Sequence, residues 1–260
     1  MLRNAAASCQ TGPAGPTVVD SPVSRLDSRL VLFDVDGTLI STGGRAGAAF
    51  GAALEEVFGT RGPIENYRWA GKTDPLIARE LLTAAGVDPA TVEANLPRLF
   101  ARYLDRLRET LPAGSVTVLP GVVELLDELA RRGVAVGLLT GNLAAGAEIK
   151  LQAASLAHRF PFGAFGSDSP DRNRLVPVAL ERARHCLGRV FRPADAVVVG
   201  DAEADIRCAR AGGTRAVAVA SGGTPAAVLA ALEPDALLET LEPPASVVAI
   251  LGPHDSPWSA

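Results

Sequence analysis

Asp34 and Asp36 stand two residues apart in Asp34-Val35-Asp36-Gly37-Thr38, at the end of the apolar run 29–34 (RLVLFD). Carboxylates at i and i+2 can enter one small space when the chain turns sharply, and Gly37 permits such a turn. A second pair, Asp201 and Asp205, lies in Gly200-Asp201-Ala202-Glu203-Ala204-Asp205, after another apolar run and in the first turn of a helix. If the two run ends adjoin, at least three carboxylates converge. Like charges about 4 Å apart repel by about 4 kcal/mol per pair at an effective dielectric of about 20, so a bare cluster would be destabilising. A divalent cation resolves it. All-oxygen ligands with no His or Cys nearby select a hard ion, and Mg²⁺ fits best because it binds through few carboxylates and keeps positions for water and phosphate oxygens.

The elements that must position these acids follow from the same runs. Residues 29–34, 134–139 (VAVGLL), 196–199 and 215–219 read as strands buried on both faces, each followed by polar or glycine-rich residues. The second run ends at Thr140-Gly141-Asn142, the third at Gly200-Asp201. Between them, 122–132, 144–157, 176–187 and 203–211 carry the helical period. Strands alternating with helices imply right-handed crossovers and a parallel sheet covered on both sides, a three-layer Rossmann-like α/β core that binds ligands at the carboxyl ends of its strands. The interval 42–117 breaks the alternation, with helices expected over 46–58, 75–85 and 96–111 and no convincing strand. It reads as an inserted α-helical cap above that edge. The expected division is a leader over 1–28, a core over 29–41 and 118–252, a cap over 42–117 and a tail over 253–260.

Asp34-Val35-Asp36-Gly37-Thr38, Thr140 after its strand, and Gly200-Asp201-x-x-x-Asp205 resemble motifs one, two and four of the haloacid dehalogenase-like hydrolase superfamily. The similarity is to its phosphoglycolate phosphatase-like members, with a helical cap of the C1 type inserted after motif one. The resemblance implies that Asp34 is a nucleophile forming an aspartyl-phosphate, and that Asp36 is general acid toward the leaving alcohol and then base toward water. It implies a metal held by the Asp34 carboxylate, the Asp36 carbonyl and Asp201, with Asp205 in support. By the same likeness Thr140, the Gly141 amide and Asn142 hold the phosphoryl group.

Motif three departs from the family pattern, in which a lysine precedes the helix leading to motif four. None stands there. Lys150, ten residues after Thr140, and Arg172 or Arg174 before the expected helix are the alternatives for neutralising the nucleophile and the phosphate. Related caps also bring a Gly-Lys-Thr-like stretch near the site, so Lys72 and Thr73 are candidates for touching substrate. Gly71-Lys72-Thr73 is not a nucleotide-binding loop, because residue 66 is Asn and no strand precedes it. No G-x-G-x-x-G follows the first strand, which argues against dinucleotide binding.

Composition narrows the classes further. Of 260 residues, 25 are basic and 29 acidic, dispersed to a net charge of −4, so there is no electrostatic footprint for nucleic acid or an anionic membrane. No window has the roughly 18 apolar residues of a membrane span. Cys9, Cys186 and Cys208 are odd in number and far apart, which excludes a disulfide framework or zinc site and suits a reducing cytoplasm. The expectation is therefore a cytoplasmic, Mg²⁺-dependent phosphatase of a small phosphorylated metabolite. The alternatives are a phosphomutase of the same superfamily, or a catalytically impaired regulatory homologue.

Overall fold

The structure is a computed structural model and describes residues 29–251; the expected leader and tail lie outside those residues. In chain order the elements are β1 (Leu30–Phe33), β2 (Ile40–Ser41), α1 (Arg45–Phe58), α2 (Asp74–Ala84), α3 (Pro89–Thr110), β3 (Thr117–Val118) and α4 (Val122–Arg131). There follow β4 (Ala135–Thr140), α5 (Ala144–Ala153), β5 (Gly163–Phe165), α6 (Leu175–Leu187), β6 (Ala196–Gly200), α7 (Glu203–Ala211), β7 (Arg215–Val219), α8 (Ala226–Ala230), β8 (Ala236–Leu238) and α9 (Pro244–Leu251). Six strands form one parallel sheet in the order β5-β4-β1-β6-β7-β8. The fold is the expected α/β core with an inserted helical cap.

All four residues of β1 are fully buried, because the strand lies mid-sheet with helices over both faces. Leu30 and Leu32 join the core under α6 and α7, while Val31 and Phe33 join the core on the opposite face, which runs on into the inserted helices. Alternation along the strand thus divides two hydrophobic cores. From β1 the chain crosses to β4 and then β5 on one side, and returns from β5 to β6 on the other. This is the topological switch point at which a crevice opens beyond the strand ends.

The cap is joined to the core by the short antiparallel pair β2–β3, with Ile40 opposite Val118 and Ser41 opposite Thr117. Both connections therefore leave the core side by side. Thr73 caps α2, its hydroxyl accepting from the Leu76 amide at 3.3 Å, and Asp88 caps α3, accepting from Thr91 at 3.0 Å. Inside the cap, Phe50 of α1 meets Tyr103 of α3 edge-on at 4.9 Å between ring centroids.

Three differences from the sequence expectation have physical causes. Helix α3 begins at Pro89 rather than near residue 96, because the Asp88 cap and Pro89 in the first turn start it early, and it runs through Pro97. Helix α5 ends at Ala153 rather than 157, and Ser155 just beyond adopts a φ of 58°, which no helix accommodates. Strands β2, β3, β5 and β8 have two or three residues each and carry no apolar run long enough to see. Among the described residues no helix is long and apolar enough to cross a membrane.

Candidate active site

Asp34 continues the β1 ladder by one residue, donating its backbone amide to Val199 of β6 at 2.9 Å. That bond aligns the ends of β1 and β6. Gly37 then turns the chain with a φ of 82°, and its amide donates to the Ile40 carbonyl at 2.8 Å. Carboxylate oxygens of Asp34, Asp201 and Asp205 lie within 4.8 Å of one another, and all three residues are buried. Three acids from two strand ends thus meet, as the spacing required.

Their seats are shaped by glycines. A Cβ on Gly37 would stand 2.4 Å from Asp201 Oδ2, one on Gly222 would stand 1.7 Å from the same oxygen, and one on Gly200 would stand 2.1 Å from the Asp205 carboxyl carbon. The Thr38 hydroxyl donates to Asp201 Oδ1 at 3.3 Å, and Asp205 Oδ2 accepts the Ala202 amide at 3.0 Å. Burial, with the neighbouring carboxylates adding to it, pushes the Asp201 pKa well above the ordinary carboxylate range; burial does the same to Asp205. The donor set is hard and anionic, three carboxylates against the single guanidinium of Arg172, which fits a divalent cation.

One cation already reaches the cluster. Arg172 places Nη2 3.1 Å from Asp34 Oδ1 and bonds Asp205 Oδ1 with the same nitrogen. It also donates to the Leu139 carbonyl at 3.2 Å and, through Nη1, to the Gly71 carbonyl in the cap at 3.0 Å. Burial opposes the charge, but Asp205 and Asp34 outweigh it and raise the Arg172 pKa. Cys208 donates its thiol to the Arg172 carbonyl at 3.0 Å, and burial pushes that thiol up to about 12, so it stays protonated.

A second network forms at the end of β4. Lys150 of α5 lies 2.6 Å from Asp36 Oδ2 and also bonds the Asn142 side-chain carbonyl. The Asn142 amide donates to Asp36 Oδ2 and to the Thr140 hydroxyl, each at 2.8 Å. Lys150 is almost fully buried, whereas the Asp36 side chain remains 41 % exposed and opens into the cavity between core and cap.

That cavity has a volume of about 480 Å³ and takes in Asp34, Asp36, Thr140, Gly141, Asn142, Lys150, Arg172 and Lys72. Four other candidates fall outside its lining: Asp201 and Asp205, which sit in the buried carboxylate cluster beside Asp34, and Arg174 and Thr73. Arg174 points to solvent, its side chain 78 % exposed and 3.8 Å from Asp171, because the short helical turn 172–174 turns Arg172 inward and Arg174 out. Thr73 is fully buried, with its hydroxyl donating to the Pro170 carbonyl at 2.8 Å and accepting from Leu76. It fastens the cap loop to the core and does not face the cavity. Lys72 lines the cavity, yet its ammonium is held by Glu80 and stands 4.3 Å above the Tyr67 ring.

Sequence reasoning passed over Asp74. Its amide donates to the Gly141 carbonyl and its Oδ2 accepts the Leu143 amide, both at 2.8 Å, which pins the cap loop to the end of β4. Burial pushes the Asp74 pKa up to about 6. Acids at a helix start are common, and nothing local distinguishes this one.

A model of the haloacid dehalogenase-like hydrolase family matches residues 28–213. Phosphoglycolate phosphatase 1 of Pseudomonas aeruginosa is 30 % identical over 199 residues, which cover 75 % of this chain and 70 % of that protein. Phosphoglycolate phosphatase of Rhodospirillum rubrum is 28 % identical over 201 residues, covering 75 % and 80 %. Among solved structures, a hydrolase from Pseudomonas syringae superposes with a TM-score of 0.62 at 23 % identity, over 87 % of this chain and 100 % of that one. CbbY from Rhodobacter sphaeroides in complex with phosphate gives a TM-score of 0.60 at 19 % identity, over 83 % and 95 %. That match over residues 28–213 takes in both acid pairs and Thr140, and this chain belongs to the haloacid dehalogenase-like hydrolase family.

Proposed function

We propose that the chain is a metal-dependent phosphatase of a small phosphorylated metabolite, with Asp34 as nucleophile and Asp36 as general acid and base. The observation that carries this reading is the division of labour between the two acids. Asp34 is buried against Arg172 in the three-carboxylate cluster, while Asp36, two residues on, faces the cavity 2.6 Å from Lys150. Relatives named as phosphoglycolate phosphatases support it. In this reading 29–41 and 118–252 act as the catalytic core and 42–117 as the cap.

An Asp34 oxygen attacks phosphorus in line, forming the acyl phosphate as the bond from phosphorus to the ester oxygen breaks. Asp36 gives its proton to the departing alkoxide. The Asp36 carboxylate then takes a proton from water, whose oxygen attacks phosphorus and releases inorganic phosphate and the Asp34 carboxylate. Lys150 and Asn142 hold the Asp36 carboxyl in place. In this reading Thr140, the Gly141 amide and Asn142 bind phosphoryl oxygens. Lys150 and Arg172 together take the motif-three role, one at each acid. The Asp34 and Asp201 carboxylates, the Asp36 carbonyl and, in support, Asp205 would hold Mg²⁺, which neutralises charge on the nucleophile and the phosphoryl oxygens when bound.

The test is a trapping experiment. Acid quench of enzyme turning over a ³²P-labelled phosphomonoester with Mg²⁺ should leave acid-stable, hydroxylamine-labile label on the protein, absent in Asp34→Asn. No label, with inorganic phosphate still released by Asp34→Asn, overturns the reading. Accumulation of isomerised sugar phosphate instead of inorganic phosphate would assign a phosphomutase.

A further inference from the structure

We propose that the organic part of the substrate is an uncharged, largely apolar, ring-sized group and not a second anionic group; this rests on the phosphatase reading above. The cavity has a polar floor from the core and a roof from the cap that is apolar except for Arg61, Lys72, Asp74 and Thr42. Phe50, Ile64, Trp69, Ile77 and Tyr103 line the roof. Trp69 meets Phe50 edge-on at 5.9 Å, so an aromatic wall is already assembled and held. Burial raises the Tyr103 pKa well above its ordinary value, so its hydroxyl is a neutral contact.

Gly47 and Gly51 of α1, one turn apart, also line the cavity. A Cβ on Gly47 would meet nothing nearer than the Trp69 ring at 3.8 Å, so a methyl group fits there in van der Waals contact with that ring and a larger side chain would extend into the cavity. With about 480 Å³ to fill, a two-carbon phosphate would leave most of the roof wet, whereas a ring would displace water from it.

Charge makes the same selection. Four cationic side chains line the cavity, and each has a carboxylate partner. Lys150 is with Asp36, Arg172 with Asp34 and Asp205, Lys72 with Glu80, and Arg61 with Glu55 at 3.4 Å. The phosphoryl group has the floor cations; a substrate carboxylate would need Lys72 or Arg61 to leave its partner.

The experiment compares kcat/KM for 1-naphthyl phosphate and 2-phosphoglycolate with Mg²⁺. The naphthyl ester should be favoured by about tenfold or more, and Gly47→Leu, which fills the space beside Trp69, should lower that ratio by about tenfold or more. Equal rates, or a preference for 2-phosphoglycolate that Lys72→Ala or Arg61→Ala removes, overturns the proposal. Binding is read separately in Asp34→Asn by quenching of Trp69 fluorescence, with Trp69→Phe as the blank. 1-Naphthyl phosphate should quench with a lower Kd than 2-phosphoglycolate, and the reverse order overturns the proposal. Selective binding without turnover in the wild type would overturn the phosphatase reading and leave the ligand class standing.

Discussion

Arg172 stands 3.1 Å from Asp34, although 137 residues separate them in the chain, and both side chains are only 7 % exposed. The same guanidinium bonds Asp205 and the Gly71 carbonyl, so one side chain ties the acidic cluster to the cap. Removing one partner of a buried ionic cluster leaves the other charges uncompensated, at about 3–5 kcal/mol. Arg172→Ala should therefore unfold at markedly lower urea. Adding Mg²⁺ should recover part of the loss, because a cation at the carboxylates replaces the missing charge. Arg172→Lys should fall between, since an ammonium cannot span both carboxylates and two carbonyls. A midpoint unchanged in Arg172→Ala would contradict this account.

Asp34→Asn should lower phosphate release by at least about 1,000-fold while keeping the fold, because the amide is no nucleophile yet has the same shape. Its thermal midpoint should stay level or rise, since one of three crowded buried carboxylates loses its charge. Circular dichroism and a coupled phosphate assay read the two effects. A large drop in midpoint would mean that Asp34 is structural.

Gly222→Ala tests the seat of Asp201. The added methyl would fall 1.7 Å from Asp201 Oδ2, and no left-handed backbone at residue 222 adds to the effect. The carboxylate must move. The Mg²⁺ concentration for half-maximal activity should rise about 10- to 100-fold, as it does when the groups orienting a ligand are disturbed. Calorimetric titration of Mg²⁺ into both proteins checks it, and equal affinities would remove Asp201 from the ligand set.

Asp74 gives a pH dependence of stability with a definite sign. Its folded pKa is about 6 against an ordinary 3.8, because burial disfavours the charged form. Below pH 3.8 both states hold the proton and the contribution is fully present. Between 3.8 and 6 the unfolded chain releases the proton while the folded one keeps it, so stability falls as pH rises through this window and is flat above it. A gap of about 2 pH units at about 1.4 kcal/mol each makes this about 3 kcal/mol. Asp74→Asn stays neutral and still accepts the Leu143 amide, so its stability relative to wild type should climb from pH 4 to pH 6 in urea titrations. A difference independent of pH would refute the assignment.

The sequence by itself determined the sheet's inner strands and the acids at their ends. Four apolar runs, each fully buried in the structure or nearly so, cannot be satisfied except mid-sheet, and the polar residues after them must then fall at one edge. The edge strands β5 and β8 stayed invisible because three residues are too few to show a pattern. Spacing could nominate Lys150, Arg172 and Arg174 but could not choose, since all three carry the same charge. Only the packed chain turned Arg172 to Asp34, brought Lys150 to Asp36 and left Arg174 in solvent. The Lys72–Glu80 pair, the Gly222–Asp201 contact and the latch of Asp74 on Leu143 likewise join segments that sequence distance separates or local pattern does not mark. A run's hydrophobicity is a property of neighbours along the chain, so sequence reports it; a charge's partner is a property of neighbours in space, which the tertiary fold alone decides.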